Sequence, residues 1–327
     1  MTSEVTQRAR ALVEERLPQA RGLGQALSEL IDDPESFAAV LRDGLTELAD
    51  DAYAAEQERV APGSGSVFGV RAPLVAAVVA QLRRPLAESS SSSALWLADR
   101  LADEPEREFV FFSHAALRRS LVDDPERSWQ LMRQLGRRAG DWISVDTLAE
   151  VVAEGILREP FRWAELEQLV YSADKWERRL VGATIARLPF ALPKRRRIEL
   201  KGRPGLTVVI SLLGDADVDV QKSLSWALRS WLEVDPLGVR ELIRAEAATA
   251  RESNDGHRAW VLRDALTAPS IEPHFAAEVR ARLESVRRQP GQASTSTAAQ
   301  VASGFVGLDT LTERALAMQG SRQGFGR

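Results

Sequence analysis

Three successive predicted helices each carry a chemically active side chain outside the apolar stripe that would pack into a core. Trp142 and Asp146 lie one turn apart on the flank of the first helix. Arg179 lies opposite the stripe of the second helix, and Trp226 lies on the far side of the third. Cations neutralise phosphates, and aromatic faces contact sugars or bases. This combination of one carboxylate, aromatic rings and cations therefore suits a groove that binds a nucleic-acid backbone.

The helix predicted over residues 219–233 carries the clearest pattern. At about 100° per residue, Trp226 shares a sector with Lys222 and Arg229. The apolar stripe on the other side consists of Val220, Leu224, Ala227, Leu228 and Trp231. A tryptophan between two cations is costly to leave in water, so it is either covered by another helix or forms a contact surface. The alternative, that these tryptophans only pack between helix layers and Asp146 only pairs with an arginine, stays open.

These side chains need helices to position them, and most of the chain has a helical pattern. Apolar residues recur every three or four positions in segments rich in Ala, Leu, Arg and Glu. Acid–Pro pairs predict helix starts at Asp33, Glu104, Asp124, Glu159, Asp235 and Glu272. Segment 206–213 could be a strand by composition, but it has no partner strands, so we predict a buried helix.

The spacing of similar segments predicts an all-α solenoid of HEAT-like helical repeats. Trp142, Trp176 and Trp226 begin or occupy three loosely similar segments, 34 and 50 residues apart. Equivalent faces of successive repeats in a solenoid line one concave groove. The off-core residues described above would then share that groove.

The composition excludes several classes of site. The 327 residues contain no cysteine and three histidines, which removes disulfide scaffolds, thiol nucleophiles and cysteine-ligated zinc. His114, His257 and His274 lack the spacing of metal ligands, so we expect no metal and no cofactor. GSGSVFG at 63–69 has the wrong spacing for a dinucleotide-binding loop. The S-x-x-K match at Ser172 has no accompanying K-T-G motif.

The net charge of −4 conceals a concentrated basic region. Between Lys175 and Arg203, ten Lys and Arg residues face only Glu177 and Glu199, which gives this segment a net charge of +8. The rest of the chain therefore sums to −12. A weakly acidic total argues against an indiscriminate nucleic-acid coat, but it allows one basic binding face.

Several stretches have the composition of irregular structure. We predict a loop at 61–69, a flexible joint in the serine run 89–93 and a basic connection at 192–205. Beyond about Arg288 the composition predicts a disordered tail, in which 308–318 is amphipathic enough to form a transient helix or a docking helix. The charged N-terminus does not resemble a secretory signal, and no apolar run is long enough to span a membrane. We therefore expect a soluble intracellular protein.

Five segments carry motifs in a fixed order: VFGVRAP (67–73), EPEREF (104–109), DWISVD (141–146), DKWERR (174–179) and VQKSLSWALRSWLEVDP (220–236). From about residue 50 to 265, the chain resembles the AlkD-type DNA alkylation repair family of HEAT-like DNA glycosylases. The V-Q-K-x-x-x-W-x-L-R pattern is the most specific of these motifs. The resemblance implies excision of cationic alkylated purines, such as 3-methyladenine and 7-methylguanine, from duplex DNA.

The resemblance also assigns roles to residues. Trp142 and Asp146 match the family's W-x-x-x-D pair, Arg179 matches its arginine, and Trp226 matches the tryptophan of the Q-K-x-x-x-W motif. These four residues are the expected catalytic set. The expected DNA-binding residues are Lys222, Arg229, Lys194, Arg195 and Arg196. For the last three, the alternative is a charge run that is merely solvated.

The sequence departs from the family in places. Asp141 stands where some members carry a second tryptophan, and the family's basic segment before the early turn is replaced by RVAPGSGSV. We expect an N-terminal helical extension (1–48), a DNA alkylation repair domain (49–288) and a tail (289–327). The expected partner is alkylated double-stranded DNA, bound by a monomer in the bacterial cytoplasm at the nucleoid. Two alternatives stay open: a non-catalytic module that binds DNA or protein, and a vestigial groove in a protein whose acidic remainder docks a partner.

Overall fold

The computed structural model describes residues 4–62 and 65–304, and within these residues all regular elements are helices. The one β-type contact there is an isolated bridge between Ser66 and Glu106. The prediction of an all-α helical-repeat fold is therefore confirmed. The chain divides into two compact units, Met1–Arg158 and Glu159–Arg327. This division falls inside the predicted domain 49–288.

The first unit packs its helices in two rows. In one row α4 contacts α6 and α6 contacts α8, and in the other α2 contacts α5 and α5 contacts α7. Helix α1 packs against α4, so the predicted N-terminal extension is part of this unit. The helices are α1 (Glu4–Ser28), α2 (Pro34–Leu48), α3 (Asp51–Val60), α4 (Ala72–Glu88), α5 (Ser91–Ala102), α6 (Glu108–Asp123), α7 (Pro125–Arg138) and α8 (Trp142–Arg158).

The second unit continues the same pattern. Helices α10, α12 and α14 pack side by side, and α13 packs against α15. The α-helices are α9 (Arg162–Gln168), α10 (Lys175–Arg187), α11 (Gly205–Leu212), α12 (Val218–Trp231), α13 (Pro236–Glu252), α14 (Gly256–Ala265) and α15 (Pro273–Arg282). Short 3₁₀ helices occupy Leu169–Tyr171, Leu188–Phe190 and Lys194–Leu200.

Helices α10 and α12 run parallel, one repeat apart. Arg179 near the start of α10 contacts the carbonyl of Asp219 near the start of α12, 40 residues later. Arg187 at the end of α10 stacks on Trp226, in the second half of α12. A repeat of about 40 residues is typical of stacked helical pairs. Each pair buries the apolar face that its neighbour leaves open, which is why the core runs along the stack.

Aspartate side chains cap many of these helices. Asp33, Asp124 and Asp235, each followed by proline, accept hydrogen bonds from first-turn amides, as their Asp–Pro pairs predict. The Glu–Pro pairs behave differently: Glu272 makes no side-chain cap, and Glu104 lies ahead of the start of α6 at Glu108. The shorter aspartate reaches the amides from the capping position.

Segment 206–213 is helical up to Leu212, as predicted, but α11 buries only one face, with Val208, Val209 and Leu212 inside and Thr207 exposed. The serine run is not a flexible joint, because Ser90 caps α5 with its hydroxyl and Ser91–Ser93 form the first turn. The basic connection at 192–205 also contains regular structure, a 3₁₀ helix over Lys194–Leu200. Serine clusters favour both loops and helix starts, so composition alone could not separate these outcomes.

The prediction of a disordered tail is wrong for residues 289–304. Ser296 and Ala298 are each 1% exposed, and residues 297–304 are helical. The Thr295 amide donates to the Gly214 carbonyl at 2.9 Å, which fixes this segment to the loop between α11 and α12. Residues 305–327, including the amphipathic stretch 308–318, lie outside the described residues. No helix in the part of the chain that is described has both the length and the apolar character to cross a membrane.

Candidate nucleic-acid interface

The start of α8 presents Trp142 and Asp146 together. Both side chains are half-buried, and they lie one turn apart in the first two turns of the helix. The carboxylate just before the helix, Asp141, is buried and accepts hydrogen bonds from the amides of Ile143 and Ser144 at 2.8 and 3.1 Å. Asp141 is therefore the N-cap, and capping does not require Asp146.

Arg179 lies at the contact between α10 and α12. Its side chain donates from Nη1 to the carbonyl oxygen of Asp219 at 2.7 Å, and the residue is only 4% exposed. Periodicity of α10 places Arg179 off the apolar stripe, but the neighbouring helix covers it. Lying off the apolar stripe therefore does not leave Arg179 open to solvent, and its place in the predicted groove stays a prediction.

Trp226 is half-buried on α12, with the Arg187 guanidinium 4.8 Å from its ring centroid. From Val220 to Trp231, only Lys222, Trp226 and Arg229 are not buried. We refer to these three side chains as the α12 strip. A cation over an indole face stabilises both groups and orients the ring. Arg187 does not belong to any of the family motifs, so the sequence did not single it out. Its position beside Trp226 becomes visible only from the contact between α10 and α12.

The two cations of the α12 strip differ in their partners. Arg229 donates from Nη1 to Asp264 Oδ2 at 2.7 Å, and the Ser225 hydroxyl donates to the same oxygen at 2.6 Å. Lys222 is exposed and makes no ion pair with any residue that the structure describes. Lys222 therefore keeps its full charge available to an external anion, whereas Arg229 shares its charge with Asp264.

The cations of the basic connection (residues 192–205) also differ in whether they have an acidic partner. Lys194 and Arg195 are exposed and form no ion pair within residues 4–62 and 65–304. Arg196 pairs with Glu199 at 2.8 Å. This contact raises the pKa of Arg196 and lowers the pKa of Glu199, chiefly through the hydrogen bonds between the two side chains. Of these three predicted phosphate contacts, Arg196 is thus the one whose charge is already matched.

The histidines occupy separate environments. His257 on α14 lies within hydrogen-bond distance of Gln221 and of the Gln292 carbonyl. His114 on α6 is buried, and burial, reinforced by nearby Arg118, lowers its pKa to about 3. Neither arrangement brings together the three ligands that a metal ion needs, and the described part of the chain contains no such cluster of His, Asp and Glu.

Within the second unit, the structure brings Arg179, Lys222, Trp226 and Arg229 to one pair of packed helices. Trp142 and Asp146 belong to the first unit. The sharing of one concave surface by all of them stays a prediction. Each of these residues nevertheless lies outside the apolar stripe of its own helix.

A family model described as DNA alkylation repair enzyme matches residues 41–268. The chain belongs to this family. The match spans α8, α10 and α12, which carry the residues described above, and it gives the protein a role in DNA alkylation repair. A search among curated proteins found no match. The family membership therefore assigns the protein to DNA alkylation repair, and the residues described above are the ones whose chemistry can be tested.

Proposed function

We propose that this family member is a DNA glycosylase that hydrolyses the N-glycosidic bond of cationic N-alkylated purines in duplex DNA. The main support is the position of Asp146, a half-buried carboxylate one turn from Trp142 on a helix whose cap is already provided by Asp141. An ionised carboxylate beside an aromatic face suits a reaction that develops positive charge.

The reaction breaks the bond between the purine nitrogen and C1′ of deoxyribose. The bonding electron pair leaves with the alkylated base, which departs neutral and so needs little acid assistance. Positive charge develops on the sugar as an oxocarbenium ion, which the Asp146 carboxylate would stabilise. Water then bonds to C1′ and loses its proton to Asp146 or to solvent. Tryptophan faces add about 0.5–2 kcal/mol of cation–π stabilisation each.

In this proposal the second unit holds the DNA. Trp226 offers an aromatic face whose orientation Arg187 fixes, and Lys222 offers an unmatched cation. Arg179, held by the carbonyl of Asp219, is positioned beside them on α10. Cations without intramolecular partners are the groups that gain most from phosphate binding, because they release counterions rather than break ion pairs.

The deciding experiment measures release of methylated purines from methylated duplex DNA by the wild type and by two matched variants. Asp146→Asn should reduce the single-turnover rate by about 100-fold or more, as expected for loss of a group that stabilises developing charge. Asp141→Asn removes a neighbouring negative charge but retains the cap, because asparagine caps helices as well as aspartate does. We expect this control to retain most of its activity.

The outcomes separate the alternatives. Full activity of Asp146→Asn would remove the catalytic role of this carboxylate. Salt-dependent binding of duplex DNA by the wild type without base release would instead indicate a non-catalytic DNA-binding module. Absence of DNA binding would favour a protein-binding scaffold.

A further inference from the structure

A second cation–aromatic pair lies beyond the site described above. Trp260 on α14 is half-buried, and the Arg288 guanidinium lies 4.8 Å from its ring centroid. Neither residue belongs to the motifs that resemble the family, and Arg288 also lies outside residues 41–268 that the family model matches. The family motifs therefore assign no role to this pair.

Trp260 lies on the same open side of the second unit as the α12 strip. From Gly256 to Ala265, only Trp260, Arg263 and Asp264 are not buried, and we refer to them as the α14 strip. The bond from Arg229 to Asp264 joins the two strips directly. The side chains of α12 and α14 that are not buried therefore meet at Asp264.

The register places Trp260 beside Lys222. Gln221 contacts His257, 36 residues later, and Ser225 contacts Asp264, 39 residues later. Residues near position 222 on α12 are therefore level with residues near position 260 on α14. Adjacent packed helices lie about 8–10 Å apart, so a ligand that reaches Lys222 can also reach Trp260.

The charges of this surface are suited to an anion. Arg288 makes no hydrogen bond or ion pair with any described residue apart from its contact with the Trp260 ring. The one carboxylate of the α14 strip, Asp264, already accepts from Arg229 and Ser225. Arg263 binds the backbone carbonyls of Leu283 and Val286, which holds the chain so that Arg288 reaches Trp260.

We propose that Trp260 and Arg288 form an additional contact to the DNA backbone, in which Arg288 binds a phosphate and Trp260 supports both the guanidinium and the adjoining sugar. This inference rests on the proposed function, because it takes DNA to be the ligand of the α12 strip. It extends the interface by one repeat and assigns part of it to residues beyond the family match. The chain would thereby hold more of the duplex than its family motifs alone provide.

The test measures binding of undamaged duplex DNA between 50 and 200 mM salt. Arg288→Gln should reduce the slope of log K against log salt by about 0.9, the effect of one lost phosphate contact. Trp260→Leu, which removes only the support, should weaken binding about two- to fivefold. Arg280→Gln removes an exposed arginine from α15, in the other helix row, and should leave the slope unchanged.

Each outcome has a distinct meaning. If the wild type binds DNA and Arg288→Gln has the wild-type slope, the additional contact is wrong while the proposed function stands. A lowered melting temperature of Arg288→Gln with unchanged DNA binding would show that the pair only clamps the C-terminal segment, and would also overturn the inference. If the wild type binds no DNA, both proposals fail.

Discussion

At the scale of single residues, neighbouring carboxylates and cations of the same type have different roles. Asp141 caps α8, whereas Asp146, five residues further on, is not needed for the cap. Arg196 is paired with Glu199, whereas Arg195 beside it has no partner among the described residues. Residue type and spacing do not distinguish such neighbours, because the difference arises from hydrogen bonds.

His114 provides a residue-scale prediction of pH dependence. Burial holds its folded-state pKa at about 3, whereas an unfolded histidine titrates near about 6.5. Between these values the unfolded state binds a proton that the folded state does not, so the free energy of unfolding decreases as the pH falls. The contribution is at most about 1.4 kcal/mol per pH unit.

Urea unfolding of the wild type and of His114→Leu between pH 7 and pH 4 checks this prediction. Over this range the free energy of unfolding of the variant should decrease less than that of the wild type. The difference should correspond to the uptake of one proton on unfolding. Ser113→Ala is the control, because it changes a buried polar side chain of the same helix without removing a titratable group, and it should keep the wild-type pH dependence. Parallel curves for the wild type and His114→Leu would show that His114 is not the titrating group.

At the scale of helices, close approach of α10 and α12 sets the positions of Arg179 and Trp226. A Cβ on Gly182 would lie 2.3 Å from Ser223 Oγ and 3.0 Å from the Ser223 carbonyl carbon. A backbone atom cannot move aside like the end of a flexible side chain. The absence of a side chain at Gly182 is therefore what allows these two helices to pack this closely.

We expect Gly182→Ala to decrease the free energy of unfolding by about 1–3 kcal/mol, because overpacking pushes the helices apart. Gly22→Ala is the matched control, since Gly22 also lies in a helix and has no atom within 4 Å of its would-be Cβ. This control should gain about 0.5–1 kcal/mol from helix propensity. Chemical denaturation of both variants gives the comparison, and equal gains would contradict the packing argument.

Local patterns of the sequence were sufficient for the helices but not for contacts between them. Segment 206–213 could be identified as helical because a lone strand has no partners, and Asp–Pro pairs marked three helix starts correctly. The burial of Arg179 could not be predicted, because the periodicity of α10 contains no information about α12, to which Arg179 is hydrogen-bonded. Trp260 was missed for a related reason. Its role depends on Arg288, which is 28 residues away in sequence and was expected to lie where the chain becomes disordered.

At the scale of the whole molecule, the basic segment Lys175–Arg203 offers a ligand less positive charge than its net charge of +8 suggests. At least five of its ten cations form ion pairs with aspartate or glutamate: Lys175, Arg178, Arg196, Arg197 and Lys201. Exposed surface ion pairs contribute little to stability, but they reduce the charge that is available to a ligand. The segment therefore presents a few unmatched cations rather than a uniform basic surface.

This distribution predicts unequal effects of neutralising adjacent cations. Lys194→Gln and Arg195→Gln should each lower the salt dependence of DNA binding by about 0.9 if they contact phosphates. Arg196→Gln should have a smaller effect, because the charge it removes is already matched by Glu199. Titrations with one duplex at several salt concentrations measure all three. Equal slopes for all variants and the wild type would assign these residues to a solvated charge run.

The attachment of Thr295 to Gly214 has a consequence for the order in which the protein assembles during synthesis. Contacts between α10 and α12 join residues about 40 positions apart, so they can form soon after the second helix emerges. The bond from Thr295 to Gly214 spans 81 positions. Until it forms, the loop around Gly214 remains uncovered on a chain whose repeats have already stacked. Ribosome-bound chains that end just before this segment should therefore be stacked but still more accessible to protease around Gly214 than chains that include it.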